Sequence, residues 1–438
     1  MKRFAITTLG CKVNQYESAI ITDSLKRFGY KQVSFTEKAD IYIVNTCTVT
    51  SKASYQSRQM LRRALRLNPE AIVVAAGCYS EIEAKKIASL GIATHILGNV
   101  EKLNLERYLE RPGSLSEPFI KVSAIKRTSE LEAVTLEDFP DRTRAFLRIQ
   151  DGCNTFCTYC IVPYTRGRSR SLRRSEVLKQ VENFISHGFK EIVLTGIHLG
   201  KWGEDLTPSD TLSSLLAELL TRFPECRFRI SSIEPPELTD NILELMAERS
   251  NFCKHLHVPL QSASKEILKT MHRPYSPEYY WDLFWKAHST IPDLAWGLDV
   301  IVGFPGETKT HFSETLKFIE ELPVSYLHVF PFSPREGTPA ARYPKQVPGR
   351  EKKRRVRLLR ELSNRKRREF MSKFVGKTLE VLVEGQSKKI KGLSYGLSSN
   401  YIRVYFVEKQ MQSNTFALVK IEKLIDNGLS GKIVKEEK

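Results

Sequence analysis

Apolar positions along the first hundred residues follow two alternating rhythms. "KRFAITTLG" alternates over the length of one strand. "NQYESAIITDSLKRFGY" repeats every three to four positions, as an amphipathic helix ending near Gly29, and "ADIYIVNT" is a short apolar run of the buried-strand kind. The rhythm then recurs: a helix through Arg58–Leu67 stopped by Asn68-Pro69, the strand "AIVVAAG", and a helix from Ser80. Near-continuous apolar strands separated by helices predict a mostly parallel sheet with helices on its faces. Residues 106 to 142 are charged, contain Pro112-Gly113 and read as a connecting segment.

A second alternation follows, with six strand patterns: "AFLRIQDG", "EIVLTGIHLG", "FRISSIEP", "KHLHVPLQS", "WGLDVIVGFPG" and "YLHVFPFSP". Helical patterns such as "SEVLKQVENFISHG" and "DTLSSLLAELLTRF" lie between them. Six βα units predict a curved parallel sheet or partial barrel, whose active edge lies at the carboxyl ends of its strands. From about residue 375 the period shortens to strands and turns ("KTLEVLVEG", "IKGLSYG", "YIRVYFVE", "FALVKIEKLIDNGLSGKIV"), the pattern of a small β-barrel of the OB-like size class. The chain thus divides into an N-terminal α/β unit over residues 1–110, a (βα)6 partial-barrel core over 139–370, and a small barrel over 371–438.

Length and charge sharpen this picture. At 438 residues the chain has room for two or three cores. It contains no apolar run of the roughly 18 residues that would suggest a membrane span. The opening "MKRFAITTLGCKVNQ" turns polar too early for a signal peptide. A cytoplasmic protein with reduced thiols is therefore expected, and its eight cysteines do not read as a disulfide framework. The net charge of +18 is concentrated in places. Residues 350–369 carry eleven Lys/Arg against three Asp/Glu, and "RGRSRSLRR" (166–174) adds a second basic stretch, so a polyanionic partner is expected. Arg365, Lys366, Arg367 and Arg368 are taken as its phosphate-tracking face.

The chemistry lies in the cysteines. Cys11, Cys47 and Cys78 each follow a predicted parallel strand, at the edge where open α/β sheets build their sites. A lone cysteine is ordinarily a small buried apolar residue, but three at one sheet edge can converge on a shared cluster. "DGCNTFCTYCIVP" presents Cys153, Cys157 and Cys160 as C-x3-C-x2-C, with no fourth cysteine. Zinc would need a histidine, and neither His187 nor His198 has finger-like spacing. Three thiolates can fix three irons of a [4Fe–4S] cluster and leave the fourth iron to a small molecule. The amino and carboxylate groups of S-adenosylmethionine (SAM) could chelate that iron, beside which its sulfonium is open to one-electron cleavage.

These residues resemble a known family. "CNTFCTYC", with aromatic Tyr159, is similar to the cysteine loop of radical SAM enzymes. "NTCTVT", "GCY", "EIVLTGIHLGKWGED", "HLHVPLQSAS", Met271/Arg273/Tyr275, "DVIVGFPGET" and "FVGKTLEVLVEG" together resemble the methylthiotransferases over essentially the whole chain. One departure is Ala263, where the family usually shows Gly. The resemblance implies two [4Fe–4S] clusters, one on Cys153/Cys157/Cys160 that binds SAM and an auxiliary one on Cys11, Cys47 and Cys78 that carries the sulfur to be inserted. It also implies that SAM serves as both methyl donor and radical source, and that the small barrel is a TRAM module. Tyr159 would lie against the SAM adenine and Gly196 would allow close approach of its methionine moiety. Ser232, Glu234 and Gln261 would bond its polar groups, and Arg273 a carboxylate or phosphate. His198 reads as a satisfied structural histidine.

Within the family the chain most resembles the group acting on N6-threonylcarbamoyladenosine at position 37 of tRNA, beside the anticodon. Isopentenyladenosine in tRNA and an aspartate of a ribosomal protein are the alternatives. The basic stretches favour RNA, bound as the anticodon stem-loop, and a low-potential donor such as flavodoxin or ferredoxin would supply electrons. A non-enzymatic RNA-binding protein with structural metal would account for the barrel and basic helix. It does not explain two three-cysteine sets that each lack a fourth ligand.

Overall fold

A computed structural model describes residues 1–434 except 126, 127, 129, 137, 138, 140–142, 388, 389 and 408–411. Parts of the segment 106–142 and the end of the unit 371–438 thus lie outside the described residues.

The N-terminal sheet is parallel throughout. Its strands are β1 (Arg3–Thr8), β2 (Lys31–Gln32), β3 (Ile41–Thr46), β4 (Ile72–Gly77), β5 (His95–Leu97) and β6 (Phe119–Lys121), in the order β2-β1-β3-β4-β5-β6. Every residue of β3 is buried, as a central strand covered on both faces requires. The helices α1 (Lys12–Arg27), α2 (Ser51–Leu67) and α3 (Cys78–Ser89) follow β1, β3 and β4. Three details differ from the sequence expectation. α2 starts at Ser51 rather than Arg58, because Thr50 Oγ1 accepts the Ala53 N–H and caps it there. α3 starts at Cys78, two residues early. The segment expected as a connection contributes β6, paired with β5.

The second unit has the six expected strands. They are β7 (Ala145–Arg148), then β10 (Glu191–Thr195), β11 (Arg227–Ile230), β12 (His255–His257), β13 (Ala295–Val302) and β14 (Tyr326–Pro331), with a short antiparallel pair, β8 (Gln150–Asp151) and β9 (Arg170–Ser171), after β7. β7, β10 and β11 form one ladder and β12, β13 and β14 another. The bridges Phe228–Phe252 and Ser232–His257 join them into an open parallel array in sequence order. Leu256, Val258, Trp296, Leu298 and Val300 pack outward against the helical layer.

The N-terminal unit closes the open side of this array. At one edge Tyr16, Ala19 and Ile20 of α1 share the apolar core with Phe146 and Leu147 of β7. At the other, past the end of β14, Arg335 donates to Thr48 Oγ1 at 2.5 Å and Ser51 N–H donates to Ser333 Oγ at 3.0 Å.

Five C-terminal strands close a barrel: β15 (Thr378–Gln386), β16 (Ser394–Ser398), β17 (Arg403–Phe406), β18 (Phe416–Ile425) and β19 (Gly428–Ile433), in the order β15-β16-β17-β19-β18. Its core includes Val381, Val404 and Val419, extended by Phe370 and Phe374 from the end of the helix Gly349–Ser372. The barrel seals the amino ends of the core strands, where Arg227 and Arg229 donate to the carbonyls of Leu397 and Ser398 at 3.0 and 3.3 Å. Among the described residues no helix is long and apolar enough to cross a membrane.

Candidate active site

The two cysteine triplets are built differently. Cys11 lies at the N-cap of α1, Cys47 directly follows β3, and Cys78 opens α3 directly after β4. β1, β3 and β4 are neighbours in the sheet, so the three thiols come together at its carboxyl edge. Burial pushes the Cys47 thiol up to about 11, and the neighbouring Cys78 and Cys11 thiols add to it. Gly10 (φ +97°) closes the approach: a Cβ there would lie 2.9 Å from Cys47 Sγ.

Cys153, Cys157 and Cys160 occupy one loop. Gln150 holds its start by donating to the Asp151 and Gly152 carbonyls at 3.0 and 2.9 Å. Gly152 (φ +75°) turns the chain where any Cβ would fall 1.9 Å from Arg168 O. Burial pushes Cys160 up to about 12, with the Cys157 and Cys153 thiols adding to it. For Cys153 burial acts the same way, but contacts from His198 outweigh it and bring the thiol below its ordinary value. His198 Nδ1 lies 3.3 Å from Cys153 Sγ and Nε2 lies 2.5 Å from Glu237 Oε1. Burial opposes a charge on this ring, yet the bonds to Cys153 and Glu237 push it up to about 10. His198 is therefore satisfied, as expected, but by the cysteine loop itself.

These donor sets fit a soft, multi-thiolate metal group. Thiols raised by burial stay protonated at neutral pH until a cation takes the proton's place, so metal binding and deprotonation are linked. Each set gathers three sulfurs and no fourth cysteine. The other two cysteines, Cys226 and Cys253, are buried apart, near Glu191.

Of the remaining sequence candidates, Tyr159 lies in the cysteine loop and Arg273 meets it, and the others lie at the ends of core strands. The side chain of Arg273 is buried, pairs with Glu234, and donates to Cys157 Sγ at 3.3 Å and to Tyr275 Oη at 3.1 Å. Tyr159 packs edge-to-face on Phe304 and belongs with Met271 and Phe332 in a small apolar cluster. Ser232 is exposed at the end of β11. Gln261, in a left-handed conformation (φ +62°), is stitched to β13 by bonds to Asp299 O and from Ile301 N–H. Gly196 is explained by Gln150, whose Oε1 would lie 2.8 Å from an added Cβ.

A buried ionic network absent from the sequence reading joins the two sites. Arg166, six residues after Cys160, donates to Asn14 Oδ1 at 2.6 Å, to Glu17 at 2.9 and 3.0 Å, and to Asp151 at 2.9 Å. Lys102 reaches Glu17 at 2.5 Å and Asn99 Oδ1 at 2.7 Å, while Arg148 and Arg170 complete the network on Glu17 and Asp151. The Asn99 amide donates to Thr165 O at 2.7 Å and lies 3.8 Å from Cys78 Sγ. Burial opposes the charge on Glu17, but Arg166, Lys102 and Arg148 hold its carboxyl well below the usual range. One structural unit thus contacts both the first sheet and the cysteine loop. The basic stretch 166–174 is correspondingly not a phosphate-binding run. Arg166 and Arg170 are buried and Arg174 pairs with Asp210 and Glu218, leaving only Arg168 and Arg173 exposed.

Comparison with known proteins agrees with this construction. Residues 3–98 match the Uncharacterized protein family UPF0004 and residues 147–319 match the Radical SAM superfamily. The fold is similar to that of the radical S-adenosylmethionine methyltransferase TsrM from Kitasatospora setae, with a TM-score of 0.54 at 15% identity over 78% of this chain and 77% of that one. In sequence the chain is 40% identical to the threonylcarbamoyladenosine tRNA methylthiotransferase MtaB of Bacillus subtilis (97% of this chain, 94% of the relative). It is 38% identical to the MtaB of Aquifex aeolicus (92% and 96%). It is 36% identical to a tRNA-2-methylthio-N(6)-dimethylallyladenosine synthase of Clostridium botulinum (98% and 96%). The fold and cysteine loop are those of a radical SAM enzyme, and the chain belongs to the radical SAM methylthiotransferase family.

Proposed function

We propose that this chain inserts a methylthio group at C2 of N6-threonylcarbamoyladenosine at position 37 of tRNA, with an iron–sulfur cluster on each cysteine triplet. The observation that carries the reading is the pair of three-thiol sites bound to one buried network, in a chain 40% identical to an enzyme named for that nucleoside. A [4Fe–4S] cluster on Cys153, Cys157 and Cys160 would supply the electron that cleaves SAM to a carbon radical, the chemistry an unactivated aromatic C–H requires.

The chain's own residues position and shield. Arg273, between Glu234 and Cys157, offers a fixed cation beside the loop for the carboxylate of SAM. Tyr159 and Phe304 close an apolar wall against its adenine, and Ser232 and Gln261 offer polar groups at the ends of β11 and β12. His198, anchored by Glu237, keeps a donor on Cys153. Cys11, Cys47 and Cys78 would hold the auxiliary cluster and its transferable sulfur, with the Arg166 network fixing that site relative to the loop. The C-terminal barrel and the exposed face of the helix Gly349–Ser372 would bind the anticodon stem-loop. The reaction would run in the cytoplasm, with flavodoxin or ferredoxin as the proposed electron source.

Mass spectrometry of tRNA nucleosides from cells lacking the chain tests this reading. Loss of 2-methylthio-N6-threonylcarbamoyladenosine with accumulation of its unthiolated precursor is expected. Loss of the methylthiolated dimethylallyl nucleoside instead would move the substrate to the other tRNA group.

A further inference from the structure

β14 alternates strictly. Leu327 and Val329 are buried in the helical layer, whereas Tyr326, His328 and Phe330 turn toward the inside of the partial barrel. β13 lies beside it in register, pairing Gly297 with Tyr326, Asp299 with His328 and Ile301 with Phe330. His257 of β12 joins this face, with Nε2 2.9 Å from Asp299 Oδ1 and Nδ1 3.2 Å from Tyr326 Oη. His328 Nδ1 lies 3.4 Å from the same Asp299 oxygen, and its Nε2 has no partner among the described residues. Burial opposes the charge of Asp299, but His257 and His328 hold its carboxyl well below the usual range, so it stays ionised between the two rings.

Two of these side chains are open although they face inward: that of His328 is 53% exposed and Phe330 is 42% exposed. The chain beyond Phe330 runs between the two cysteine sites. Phe332 meets Phe304, which meets Tyr159 of the cysteine loop. Ser333 and Arg335 bond Ser51 and Thr48, in the turn that begins at Cys47. An open aromatic ring beside an imidazole oriented by a carboxylate suits a flat heteroaromatic ligand with a polar side arm.

We propose that the inward face of β14 is the seat of the substrate nucleobase, with Phe330 stacking on the purine and His328, oriented by Asp299, reading the substituent on its N6. The inference rests on the threonylcarbamoyl reading above. That substituent carries a carboxylate and a hydroxyl, which an imidazole can bond through its free Nε2, whereas a dimethylallyl group carries neither. Asp299 takes the opposite nitrogen and so fixes which edge of the ring meets the ligand. His328 is thereby a specificity-determining residue and Phe330 a stacking platform.

The test measures affinity of the anaerobically reconstituted full chain for three anticodon stem-loops of one sequence, bearing threonylcarbamoyladenosine, dimethylallyladenosine or unmodified adenosine at the target position. Phe330→Ala should weaken all three about 10-fold or more, the usual effect of losing one base–aromatic stack. His328→Phe should weaken only the threonylcarbamoyl RNA, bringing its preference over the dimethylallyl RNA close to one, and His328→Gln should restore part of it. Equal iron content and circular dichroism confirm that the variants fold. A wild-type preference that persists in His328→Phe, or undiminished affinity in Phe330→Ala, overturns the inference alone. A wild-type chain that binds the dimethylallyl RNA as tightly overturns the substrate reading, and the role of His328 with it.

Discussion

One cysteine triplet lies within eight residues of chain, and the other is gathered from three strands across positions 11 to 78. The compact set depends on a loop whose shape is set locally, by Gln150, by Gly152 and by the turn from Cys157 O to Cys160 N–H. The dispersed set depends on the register of β1, β3 and β4 and on the packing of the first sheet against the core. Sequence spacing already brings the first set together, though His198 and Arg273 reach it from elsewhere in the core; tertiary structure alone brings together the second. The Arg166 network lies on this boundary, with Arg166 leaving the short helix after Cys160 and ending among Asn14 and Glu17 of α1.

The largest expected effects separate the two sites by function. Cys153/Cys157/Cys160→Ala should reduce SAM cleavage to background while the chain still binds iron at the N-terminal set. Cys11/Cys47/Cys78→Ala should keep reductive cleavage to 5′-deoxyadenosine and form no methylthiolated RNA. Iron, acid-labile sulfide and 5′-deoxyadenosine are measured on each. Cleavage by the first variant, or normal RNA product from the second, would contradict the assigned roles.

Next in size is the effect of Arg166→Met. Removing one partner from a buried ion pair typically costs about 3–5 kcal/mol, because the remaining charges are left uncompensated. Chemical unfolding should show a destabilisation of that order. The acid limb should change as well. Glu17 and Asp151 are held below ordinary carboxylate values in the folded chain, so their contribution is present above the unfolded value of about 4 and is lost as pH falls. Without Arg166 that limb should be shallower. Iron at the dispersed set should fall more than iron at the loop; equal falls would erase the distinction between a local and an assembled site.

How far each site could be read from sequence follows the same division. The loop is legible because its spacing is the site. Cys11, Cys47 and Cys78 are legible one step further, since each follows an apolar run long enough to be recognised as a strand. The two-residue β2 and three-residue β5 and β6 carry too little pattern to be seen. Arg166 and Arg170 read as part of a basic run for a polyanionic partner because their own partners Glu17 and Asp151 are brought to them only by packing. His198 reads as structural because nothing in "LTGIH" tells that the end of β10 lands beside Cys153.

The smallest expected effect concerns the other basic segment, where charges turned inward must be told from charges left free. By sequence, the helix Gly349–Ser372 presents Arg365, Lys366, Arg367 and Arg368 to phosphates. In the structure Lys366 is instead buried and donates to Glu320 O at 2.6 Å, and Arg365 pairs with Glu320 at 3.0 Å. Arg355 is buried against Glu307, and Lys352 donates to Phe332 O at 3.1 Å. Lys353, Arg360 and Arg367 remain exposed, form no ion pair among the described residues, and recur every seven positions along one face. Removing a cation that neutralises one phosphate flattens the dependence of log affinity on log salt by about 0.7–0.9. Lys353/Arg360/Arg367→Gln should therefore flatten the slope for tRNA by roughly 2–3 units. Arg355→Gln and Lys366→Gln should lower the unfolding midpoint and leave the slope alone. A titration of tRNA affinity against salt decides it. An unchanged slope in the triple variant would mean that this face meets only water, leaving the C-terminal barrel to hold the RNA.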